Sequence, residues 1–182
     1  MSSSDCLSAA AAGRWSAERA WAWQRARPWR VGCNYLPSSA VNQLEMWQPE
    51  TFDPALIDRE LGVLAGAGFN AVRVFLHDLL WSDRPEEFLG RMERFLALAD
   101  RRGIATLFVF FDSCWYPFPR AGRQAEPEPG VHNSFWLQSP GVPVLRSPAA
   151  FARLEPYVTG VLARFRADPR IEGWDLWNEP EN

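Results

Sequence analysis

The run Trp174-Asp175-Leu176-Trp177-Asn178-Glu179-Pro180 begins apolar and ends in an amide, a carboxylate and a proline. A carboxyl group fixed just past the end of a strand can hand a proton to a departing oxygen. Cleavage of a glycosidic bond needs such a group, with a second carboxyl on the other side of the bond. Glu179 is the candidate proton donor. Asn178 beside it can hydrogen-bond a sugar hydroxyl, and Pro180 is expected to hold Glu179 in extended backbone and so set where its carboxyl points. The remaining charge of interest is Arg73, the one ion in the apolar run Ala71 to Leu76. A guanidinium there needs a partner. It reads either as half of a structural ion pair or, being near the strand's C-terminal end, as a fixed cation that orients a catalytic carboxylate.

Around these three, the sequence places further polar and aromatic residues in loops. His77 follows the segment with Arg73; Asp112 ends the next apolar run; His132 and Asn133 lie in the longest loop. All four are candidates to bind sugar hydroxyls, although each histidine reads equally as a satisfied loop residue and Asp112 equally as a cap for its loop. Trp115, Trp136 and Trp47 are the candidate platforms for stacking on a sugar face, against the alternative that they anchor loops. Strand alternation turns Asp175 and Trp177 away from Asn178, which leaves them outside the expected site. No third ligand with sensible spacing joins the two histidines, so no metal site and no cofactor are expected.

The elements that must position these residues alternate in type. A short strand is expected over Trp29 to Tyr35, a long loop over Leu36 to Thr51, and a helix opened by Asp53-Pro54, with Leu56, Ile57, Leu61 and Leu64 at helical spacing. Asn70 to Leu76 reads as the second strand. Pro85 opens a helix with a stripe of Phe88, Leu89, Met92, Phe95, Leu96 and Ala99. Ala105 to Phe111 reads as a third strand covered on both faces. A long loop from Asp112 to Arg146 follows, rich in prolines and aromatics, and Ser147-Pro148 opens a helix that Pro156 should kink or split. In that helix Phe151, Leu154, Val158, Val161, Leu162 and Phe165 are expected to face inward. Gly173 to Asn178 is the fourth strand. Ahead of all of them, Ser16 to Gln24 favours a helix outside the repeat. Strands alternating with helices imply parallel βαβ units, and the longest loops follow strand C-terminal ends, where a (β/α)8 barrel builds its active site. The fold class expected is α/β, a partial (β/α)8 barrel, with an open doubly wound sheet as the alternative; no Gly-x-Gly-x-x-Gly follows the first strand to favour the latter.

The bulk numbers agree with a globular domain. The chain has 182 residues, 47% of them apolar and 23% charged, a net charge of -3 and ten tryptophans. Its arginines are scattered, which argues against a nucleic-acid partner, and no run is apolar enough to span a membrane. Cys6, Cys33 and Cys114 are odd in number and far apart, so neither a zinc site nor a disulfide framework is implied. Residues 1–13 read as a disordered leader without the charge of a signal peptide, which leaves the compartment undecided, and residues 14–182 read as the domain.

The strings "NAVRVFLHDLLW", "FVFFDSCW", "GVHNSFWLQSPG" and "GWDLWNEPEN" together resemble clan A glycoside hydrolases, the cellulase-like (β/α)8 enzymes related to family 5, and "GWDLWNEP" resembles their fourth-strand signature. The resemblance runs from about Trp15 to Asn182. It implies a retaining mechanism on a β-linked carbohydrate, with Glu179 as acid/base, Asn178 binding the 2-hydroxyl of the sugar being cleaved, and Arg73 supporting the nucleophile. The family's nucleophile is a second Glu ending a seventh strand, and no residue here matches it. The expectation is an N-terminal half-barrel, inactive alone, whose open edges pair with a missing C-terminal half or with another copy. A non-catalytic carbohydrate-binding half-barrel and a truncated gene product are the alternatives.

Overall fold

The computed structural model describes residues 14–182, so the expected leader over 1–13 lies outside the described residues. The chain divides into an N-terminal unit ending at Arg30 and a body from Val31 to Asn182. In the first, Ser16 caps the helix Ala17–Arg25, its hydroxyl accepting the Arg19 N–H at 3.2 Å. The oxygen of a serine at this position satisfies an N–H that the helix itself cannot.

The body is built on four strands, β1 (Gly32–Asn34), β2 (Ala71–Phe75), β3 (Ala105–Asp112) and β4 (Ile171–Asn178). All are parallel and lie in the order β1-β2-β3-β4. Helices connect them. This is an α/β fold, the arrangement of part of a (β/α)8 barrel. A doubly wound sheet reverses its strand order at a switch point, and the consecutive order here contains no reversal.

The helices form where the sequence provides their ends. Asp53 Oδ1 accepts the N–H groups of Ala55 and Leu56, both at 2.9 Å, and Pro54 occupies the first turn of Pro54–Gly66. Leu56, Ile57 and Leu61 then turn inward. Pro85–Arg101 buries Phe88, Leu89, Met92, Phe95, Leu96 and Ala99 along one stripe and packs on β3. Gly103 leaves it at a φ of 68°, a conformation that glycine adopts without a Cβ penalty. The expected helix around Pro156 is divided in two, Pro148–Phe151 and Leu154–Phe165. Pro156 falls in the first turn of the second piece, where a missing N–H breaks no helical bond. Phe151 is exposed rather than inward; Leu154, Tyr157, Val161 and Phe165 carry the packing.

Register sorts the strand residues onto two faces. Val72, Val74, Phe108 and Phe110 are fully buried beneath the helices. Arg73 pairs in register with Leu107, and Leu107 with Gly173, so these residues and Asp175 share the opposite, half-open face. Three expected loops contain short helices instead, Gln43–Trp47, Asp78–Asp83 and Val142–Leu145. Four to six residues give too few turns for a helical period to stand out. The first of these overturns the reading of Trp47 as a sugar platform. Its indole is fully buried, donates Nε1–H to the Phe75 carbonyl at 2.8 Å, and packs against Phe52, Phe88, Phe95 and Phe108.

Candidate active site

The strand ends β2, β3 and β4 bring polar side chains together in a continuous chain of hydrogen bonds. Arg73 donates to Asp175 Oδ2 through Nη2 at 2.5 Å and Nε at 3.1 Å, and the same Nη2 donates to Asn178 Oδ1 at 2.9 Å. Asn178 Nδ2 in turn donates to Asp112 Oδ1 at 3.0 Å. Asp112 also accepts the Cys114 N–H at 2.9 Å and, on Oδ2, the Trp136 indole N–H at 2.7 Å. Asp112 is 2% exposed, and its carboxyl holds the loop, Asn178 and Trp136 in place. The partner that Arg73 requires is therefore Asp175, which alternation had placed outside the site. The guanidinium, lying over the Phe75 ring at 4.7 Å, reaches both Asp175 on its own face and Asn178 at the strand end.

Glu179 follows at the rim. Its φ is 47°, not the extended backbone that Pro180 leads one to expect. The turn overrides that preference: the Asn182 N–H returns to the Glu179 carbonyl at 3.1 Å. Non-glycine residues held at positive φ are uncommon and concentrate at functional sites. One carboxyl oxygen, Oε2, accepts the Cys114 thiol at 3.3 Å and the Asn182 amide at 3.4 Å. Burial pushes the Cys114 thiol up to about 11, and the facing Glu179 and Asp112 carboxyls add to that shift against the Asn182 amide.

A cleft of about 440 Å³ opens over this network. Arg73, Asp112, Trp115, His132, Asn133, Trp136, Asn178 and Glu179 line it, eight of the ten residues singled out from the sequence. Asn34, Tyr35 and Cys114 also line it and were not anticipated. Trp115 is 51% exposed and offers an open indole face. Trp136 is more constrained, its ring meeting the Phe75 ring edge-on at 5.1 Å. A second polar cavity, about 460 Å³, shares Val41 and Asn133 with the cleft.

His77 and Trp47 do not reach the cleft. His77 is fully buried, and its Nδ1 accepts the Leu79 N–H at 3.2 Å, capping the helix Asp78–Asp83. Its expected role in binding a hydroxyl is therefore replaced by one in the turn after β2. The neighbouring Asp78 accepts the Ser139 hydroxyl at 2.9 Å, and Ser139 forms a bridge with Asp112, so this turn, the long loop and the end of β3 are tied together.

No family model matches the chain, and no curated protein does. Among solved structures the chain is similar to an exo-β-1,4-mannosidase from Opitutaceae bacterium strain TAV5, with a TM-score of 0.56 and 26% identity. The match covers 83% of this chain and 25% of that one, so the chain spans about a quarter of the mannosidase's length. The fold is glycosidase-like.

Proposed function

We propose that this chain carries the proton-donor side of a retaining β-glycosidase of the cellulase-like kind. The observation that carries the reading is the convergence of Glu179, Asn178, Arg73 and two indoles on one cleft at the C-terminal ends of parallel strands, the face where barrels of this class do their chemistry. In this reading Glu179 gives its proton to the leaving oxygen as the glycosidic bond breaks. It then takes a proton from the water that releases the sugar from the enzyme. Asn178, fixed between Arg73 and Asp112, presents itself to the 2-hydroxyl of the sugar being cleaved, and a hydrogen bond there strengthens as positive charge develops on the ring. Trp115 offers its open face to the sugar, and His132 and Asn133 border the same space.

Two carboxyl groups about 5–5.5 Å apart are needed for retention. Besides Glu179, the carboxyl lining the cleft is Asp112, and its oxygens already accept three hydrogen bonds. In this reading the attacking carboxylate is not among the described residues. One available carboxyl among the described residues also supports a second reading, a half-barrel that binds carbohydrate without cleaving it.

Both readings require sugar in the cleft, and the mannosidase likeness makes a β-1,4-mannoside the first probe, with gluco- and xylo-oligosaccharides beside it. Calorimetric titration with β-1,4-linked trisaccharides is expected to show binding by one of the three. Trp115→Ala should weaken that binding about tenfold, about 1.4 kcal/mol. Absence of binding by all three at millimolar concentration removes the proposal.

A further inference from the structure

We infer that Cys114 is a positioning residue for Glu179: its thiol, with the Asn182 amide, holds one carboxyl oxygen against the cleft wall and leaves the other to carry the proton. This rests on the assignment of Glu179 as proton donor.

The contacts form a closed triangle. Cys114 Sγ lies 3.3 Å from Glu179 Oε2, Asn182 Nδ2 lies 2.9 Å from the sulfur, and the same amide lies 3.4 Å from Oε2. The residues come from two strand ends, the turn after β3 and the turn after β4, so the triangle also pins those turns together. Cys114 is 4% exposed, and its burial between Asp112 and Glu179 keeps it protonated. A protonated thiol is a donor, not a nucleophile. The bond therefore runs from S–H to carboxylate, while the amide donates to both atoms.

The choice of partner suits the chemistry. A general acid must accept and release a proton in every cycle, and a cationic partner favours the ionised carboxylate. The two other carboxyls of the network are held differently: Asp175 by the Arg73 guanidinium, Asp112 by three N–H donors. Glu179 alone meets a thiol and an amide, which are neutral and bind more weakly than an ion. They fix direction while leaving Oε1 free to exchange its proton with a leaving oxygen.

The test uses the 182-residue chain and two readouts independent of turnover. Alkylation of Cys114, followed by mass spectrometry of its peptide as pH is raised, is expected to speed up about threefold at pH 9 in Glu179→Gln, because the facing negative charge is gone. The side-chain couplings of Glu179 measured by NMR should report one rotamer in the parent and in Cys114→Ser, and averaging in Cys114→Ala. An unchanged alkylation profile in Glu179→Gln, or a single Glu179 rotamer in Cys114→Ala, overturns the inference. Failure of sugar binding with both readouts as expected would instead remove the functional assignment and leave the triangle standing.

Discussion

Asp112 holds more of the site than any other single side chain. It receives the Cys114 N–H, the Trp136 indole and the Asn178 amide, and it is almost fully buried. Removing an acceptor from three donors leaves them to be resolvated or unpaired, at about 1–3 kcal/mol for each donor that stays buried. Asp112→Ala should therefore lower the melting temperature by several degrees, while Asp112→Asn, which keeps one acceptor oxygen, should recover part of the loss. Equal melting temperatures for the parent and the alanine variant in calorimetry would contradict this role. At this scale the sequence disclosed residue types better than partners. Polar groups at strand ends were legible because apolar runs stopped at them. Asp175 was not, since alternation describes where a Cβ points and not how far an arginine reaches. Cys114 gave no signal at all, because its bond to Glu179 joins residues 65 apart.

The element that presents Glu179 is fastened at its far end by ions. Arg170, just before β4, donates to Glu93 on the helix Pro85–Arg101 through Nη1 at 2.8 Å and Nη2 at 3.0 Å, and to Asp168 through Nε at 2.8 Å and Nη2 at 2.5 Å. Hydrogen bonding by Arg170 holds the Asp168 carboxyl below its ordinary 3.8. A carboxyl depressed on folding contributes stability that is fully present above its unfolded value and is lost as pH falls through its folded value. Arg170→Met should cost about 1–2 kcal/mol at pH 7. The deficit should shrink as the pH is taken below 3.8. Thermal melts of the two proteins across that range check it; a constant deficit would place the loss in packing instead. Long helices and strands were legible in advance because caps and periodicity agreed, as at Asp53-Pro54 and along Phe88 to Ala99. The short helices Gln43–Trp47 and Asp78–Asp83 were not, and the misplacement of Trp47 and His77 follows directly from them.

At the largest scale, the four strands of the body Val31–Asn182 form a wall with a cleft over their C-terminal ends and, among the described residues, one available carboxyl in it. Among the described residues the half-open face bearing Arg73 and Asp175, and Leu176 at 63% exposure, are left uncovered; under the proposed function a further strand would pair along the open edge of β4. Because no free second carboxyl lines the cleft among the described residues, the purified chain is expected to leave aryl β-glycosides intact over hours; turnover abolished by Glu179→Gln would show that both groups are already present. The central claim, that this cleft receives a sugar with Glu179 at the bond to be broken, is tested most directly by a crystal structure of the protein with β-1,4-mannotriose. A pyranose ring against Trp115, a hydroxyl on Asn178, and a glycosidic oxygen about 3 Å from the Glu179 carboxyl are expected. A sugar bound elsewhere, or bound here with the Glu179 carboxyl turned from it, would rule out Glu179 as the proton donor in this cleft.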